Sequence, residues 1–150
     1  MSVLINDLLA GIKTRVSTVL GSEFSELPFL IDVSQNNFNQ NHNRYGVIPQ
    51  ASFETDSVTK YVTMEQVFQV VLTKAFIDDG ISDADKQAKR TELQDLFLDI
   101  YKDLINTKAG VPSIVMNITD LNVEDAEYLD EEKVVVMKAS INILYRFTLI

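Results

Sequence analysis

Apolar side chains recur at Ile5, Leu8, Leu9, Ile12, Val16, Val19 and Leu20. Steps of three and four line one face of a helix, so residues 2–20 are predicted helical. Ser2 or Asn6 would cap the start and Gly21 would stop the run. A membrane-surface helix would want a polar face rich in Lys and Arg. This one offers Lys13, Arg15 and Asp7, so it is expected to lie on a sheet. Residues 27–33 suggest a short strand entered through Pro28. Residues 34–43 hold five Asn and two Gln, a density that favours turns over regular structure. Residues 44–49 follow as a strand edge ended by Pro49.

The alternation then changes to period two. Val62, Met64, Gln66, Phe68, Val70, Leu72, Lys74 and Phe76 fall on one face of a strand over 61–77. Its other face is also apolar near the middle, which predicts cover on both sides there. Residues 133–149 alternate more sharply, with Val135, Met137, Ala139, Ile141, Ile143, Tyr145, Phe147 and Leu149 together. Between them a helix is predicted from about Asp83 to Lys108. Ser82 caps it, with Asp85 three residues on, and Lys108 and Gly110 suit its end. Ala84, Ala88, Leu93, Leu96, Phe97, Ile100, Leu104 and Ile105 approximate its apolar face. Residues 113–119 suggest a further strand and 120–132 an acidic turn. The expected fold is one α+β domain over 1–150. It has a largely antiparallel sheet (mixed possible), two main helices on one face, and long projecting strands.

The long strands raise a problem of size. A run of about sixteen residues spans roughly 50 Å at about 3.3 Å each. A compact domain of this length is only about 40 Å across. Either the strands bend or break, as where a bulge splits each run, or they project and complete a neighbour's sheet.

Composition narrows the chemistry. The 150 residues carry 22 acids, 13 bases, one His and no Cys. Without Cys there are no disulfides, thiolate metal sites or cysteine nucleophiles. One His cannot build a multi-histidine metal site in one chain. The net charge of −9 argues against general nucleic-acid binding. Asn6 and Asp7 interrupt any secretory signal, and no window is apolar enough to span a membrane. Manufacture in a reducing cytoplasm is therefore expected, and the Asn117-Ile118-Thr119 sequon is read as chance.

The candidate motifs fail one by one. Placing Gly80 sixth in a calcium loop puts Ala75 first and Lys86 twelfth, where acids are required. His42 lies between Asn41 and Asn43 with no orienting carboxylate beside it in sequence. The five glycines are too scattered to cradle a phosphate. No carboxylate pair sits in apolar surroundings that would raise a pKa for acid catalysis. Lys86, Lys89 and Arg90 are interleaved with Asp83, Asp85 and Glu92, which favours helix ion pairing. No catalytic residue, metal ligand or cofactor is expected.

Three stretches do form a recognisable ensemble. They are the helix Leu4–Leu20, the segment Arg44-Tyr45-Gly46-Val47-Ile48-Pro49, and the strand from Tyr61 to Thr73. The closing strand Ala139–Phe147 adds to them. In order of elements, the chain resembles the tail terminator (tail completion) proteins of long-tailed bacteriophages. That resemblance implies a non-enzymatic virion protein assembled in the host cytoplasm. It would form a homohexameric ring that caps the tail tube protein, ends tube polymerisation and meets a head-connector or neck protein. DNA would pass through without specific binding, and an acidic lumen would repel it. Asn36, Asn37, Phe38, Asn39, His42, Arg44 and Tyr45 are the candidate subunit or partner interface. Glu124, Asp125, Glu127, Asp130, Glu131 and Glu132 are the candidate lumen or docking surface. Competing readings are another head–tail joining protein, a monomeric ligand- or peptide-binding module, and a hydrolase using carboxylates alone.

Overall fold

The computed structural model describes residues 2–26, 43–58, 61–75, 82–129 and 134–148. Helix α1 (Ser2–Leu20) leads through a 3-10 turn into strand β1 (Phe24–Glu26). Strands β2 (Asn43–Val58) and β3 (Tyr61–Ala75) form a hairpin, followed by helix α2 (Asp83–Thr107). Strands β4 (Val115–Val123), β5 (Glu127–Leu129) and β6 (Val134–Thr148) complete the described elements. The sheet order is β1-β2-β3-β6-β4, with β5 also on β6. Only β1–β2 is parallel among the described pairs. The predicted short strand at 27–33 and the Asn-rich loop lie outside the described residues.

One core joins both helices to one sheet face. Leu8, Ile12 and Val16 of α1 and Leu93, Phe97, Ile100 and Leu104 of α2 are fully buried in it. They meet Phe68, Val70 and Leu72 of β3 and Val135 to Tyr145 of β6 at every second position. The expected α+β architecture, with both helices on one side, is therefore the observed one. On its other side β3 is buried towards its end, at Val71 and Thr73, while Val67 and Gln69 at its middle are only partly buried. Val71 packs with Val134 and Val136 in a separate buried cluster.

The helices run antiparallel. Arg15 reaches Asp103 through two hydrogen bonds, from Nε at 2.8 Å and Nη2 at 2.7 Å. This planar fork on a carboxylate holds the two helices in register. The Asp103 hydrogen bond raises the pKa of Arg15 above its usual value. One turn along, Gly11 lies against Ala109. A Cβ on Gly11 would sit 2.4 Å from the Ala109 carbonyl oxygen. The glycine, unfavourable within a helix, is what admits that backbone. Ala109 itself adopts φ +56° within a left-handed exit from α2 that runs from Lys108 to Gly110.

Several boundaries differ from those the sequence suggests. Pro49 does not end its strand: among the described residues β2 has no partner on its outer side over this stretch, where a missing donor is tolerated. Residues 120–132 are not wholly a turn: β4 continues to Val123 and β5 begins at Glu127. Ala84, Ala88 and Ile105 are exposed rather than part of the α2 apolar face. The first turns of α2 are held differently. Tyr128 donates its hydroxyl to the Lys86 carbonyl at 3.2 Å, and the Lys86 ammonium lies 5.5 Å from the Tyr128 ring centre.

Candidate assembly surfaces

The two long strands are not broken where they pair. β3 and β6 pair without interruption from Tyr61↔Thr148 to Ala75↔Val134. No bulge splits either run along this ladder. The irregularities fall on the outer strands, between Pro49/Ser52 and Glu54/Asp56 of β2 and between Val115/Asn117 and Thr119/Asn122 of β4. Gln66 fills the first of these. It is 2% exposed, and its Nε2 donates to the Gln50 carbonyl at 2.9 Å and to the Val67 carbonyl at 3.0 Å. The side chain thus supplies a bond that the bulged backbone gives up.

Beyond that bulge the hairpin opens to solvent. Residues 51–55 of β2 are all exposed, including Phe53 at 46%. Phe53 pairs with Glu65, so it lies on the face away from the helices. Tyr61 is exposed on the same face, with the Arg146 guanidinium 4.6 Å from its ring centre. On the opposite flank Met116 of β4 and Leu98 and Ile105 of α2 are exposed. Leu98 and Ile105 lie about 140° and 160° around the helix from Asp103, at 100° per residue, and so on the side away from α1.

The interface residues expected from the sequence are only partly described. Asn36, Asn37, Phe38, Asn39 and His42 lie outside the described residues. Arg44 is half-buried; its backbone N–H donates to Thr73 Oγ1 at 3.0 Å, and its Nη1 reaches the Glu26 carbonyl at 3.5 Å. Tyr45 is 7% exposed and belongs to the core. Of the acidic set, Asp130, Glu131 and Glu132 also fall outside. Glu124 is exposed beside β6, where its N–H donates to the Lys138 carbonyl. Asp125 accepts an ion pair from Arg90 at 2.9 Å, and Glu127 is exposed on β5. One acid of the set, Asp125, thus meets one base of the α2 cluster, Arg90. Sequence reasoning missed the exposed apolar residues Phe53, Tyr61, Leu98 and Met116. Phe53 sits in a stretch with no alternation, and the others lie within patterns that also build the core.

An open groove of about 320 Å³ lies between α1 and β1. Lys13, Thr14, Ser17, Thr18, Glu26 and Tyr45 line it, and Lys13 and Glu26 pair across it at 2.8 Å. Among the described residues no cluster of three or more acids or histidines is arranged to hold a metal, and no helix is long and apolar enough to cross a membrane.

No known family matches the sequence, and no curated protein matches it. In structure the chain is similar to a chain of the solved "Virion of native gene transfer agent (GTA) particle", at 8% identity and a TM-score of 0.44, over 93% of this chain and 95% of that one.

Proposed function

We propose that this protein is a structural subunit of a phage-type neck or tail, a ring that closes the end of a tail tube and joins it to the head connector. The observation that carries this reading is the unbroken β3–β6 ladder, flanked by an exposed hairpin and exposed apolar side chains on both sheet margins. A monomer gains nothing from exposing Phe53 and Met116, whereas burying each on assembly removes apolar surface from water, at about 25 cal/mol per Å². The tail terminator role rests on the resemblance in the order of elements; another neck or head–tail joining protein is the neighbouring reading. In this reading the chain is not an enzyme, binds no cofactor, and works in the virion after assembly in the host cytoplasm. Its partners are further copies of itself, a tube protein and a connector protein, and DNA slides through an acidic lumen.

Size-exclusion chromatography with light scattering, followed by negative-stain microscopy, tests the reading. A closed ring of one size, hexameric by the resemblance, is expected. A monomer at high concentration would overturn it. The open α1–β1 groove favours one alternative, a monomeric binding module. Retention of a small ligand by a monomer, lost on Lys13→Ala, would support that alternative.

A further inference from the structure

The strand registers set the two margins of the sheet at matching heights. Low on the sheet, β1 covers β2 at Asn43–Tyr45 and β5 covers β6 at Val134–Val136. Arg44 and Val136 both pair with Thr73, so these short strands close opposite margins at one level. Higher up, Val47 and Ala139 both pair with Val70, and Val123 pairs with Ala139. Glu54 and Tyr145 both pair with Met64, and Val115 pairs with Tyr145. The strand β4 therefore covers the same height as β2 from Val47 to Glu54. Over that height the outer edge of each strand has no partner among the described residues.

Direction matches as well. Three antiparallel steps separate β2 from β4, so the two run in opposite senses. A second copy turned about an axis along the strands keeps its β2 direction. Its β2 then meets β4 of the first copy antiparallel, the more stable pairing. An exposed apolar side chain marks each margin, Phe53 on β2 and Met116 on β4. Phe53 and Asn117 stand at one height, since Phe53 pairs with Glu65, Glu65 with Leu144, and Leu144 with Asn117. The bulges on both strands restrict which registers can form, as native edges commonly do to avoid indiscriminate pairing.

We infer that the occupant of the β4 edge is the β2 edge of a second copy, so that the sheet continues from subunit to subunit. The contact is head-to-tail and closes into a ring when the rotation closes. The inference rests on the ring reading above and adds which surfaces make the ring. The chain has no cysteine, so introduced pairs report contacts without background. Phe53→Cys is combined with Asn117→Cys, and separately with Asn122→Cys to allow a shifted register. Phe53→Cys with Asp99→Cys on exposed α2 surface, and each single variant, are controls. Under mild oxidation at least one edge pair should move most of the protein into covalent species larger than a dimer. The controls should stop at dimer. A wild-type ring whose edge pairs cross-link no further than the controls would overturn the edge contact and leave the ring reading standing. A wild-type monomer would overturn both.

Discussion

Three side chains and one absent side chain show how closely this domain is fitted. Gly11→Ala forces a methyl against the Ala109 carbonyl at 2.4 Å and the Val111 methyl at 2.9 Å. Neither backbone can yield without moving α1 from the α2 exit, so a loss of about 1–3 kcal/mol is expected in urea unfolding. Gln66→Ala leaves the Gln50 carbonyl without its buried partner, at a cost of about 1–3 kcal/mol. If that variant unfolds like wild type, water has replaced the side chain in the bulge. The Arg15–Asp103 fork is different in kind. Arg15 has a raised pKa, so its contribution is complete below the usual arginine value and is lost only as pH rises through the higher folded value. Asp103→Asn should therefore lower Tm by a similar amount throughout the near-neutral range. A decrement that varied steeply with pH there would point to another titrating group.

At the level of elements, α2 divides into two parts. Its first turns, Asp83 to Glu92, bury no residue fully, whereas Leu93 onward supplies the core. Ser82 caps it by accepting the Asp85 N–H at 3.2 Å. Ser82→Ala should cost about 1 kcal/mol, and amide exchange should be faster over 84–92 than over 93–107. Both helices, the Ser82 cap of α2 and the two long strands were legible in the sequence, because a single buried face imposes a strict period. The second half of β2 was not. Gln50-Ala51-Ser52-Phe53-Glu54-Thr55 is exposed on both faces, so nothing selects alternation there. β4 was cut short because Asp120, with φ +58°, lies in a bulge and reads as a turn residue. The candidate interface was legible only as composition. An Asn-rich run advertises a loop, while the paired sheet margins arise from register, which no single segment contains.

For the whole molecule, charge and assembly pull in opposite directions. Each subunit carries −9, so copies repel at long range. Raising salt from low to physiological levels should strengthen self-association, as screening shortens to about 8 Å. Weakening instead, seen by light scattering, would mean that ion pairs across the interface outweigh net repulsion. The central position of β6 has a further consequence, in time rather than space. β6 is the last described strand along the chain, yet it sits between β3 and β4, pairing Tyr61 with Thr148 and Val115 with Tyr145. Contacts of such sequence separation close slowly, on a scale of about milliseconds to seconds. A growing chain can form the β2–β3 hairpin early, but β4, which also packs on α2, has no strand to pair with among the described ones until residues 134–148 leave the ribosome. The two margins proposed to join therefore mature at different moments, one exposed early and the other only when folding ends. An unfinished chain holds half of a contact, which delays polymerisation until each subunit is whole.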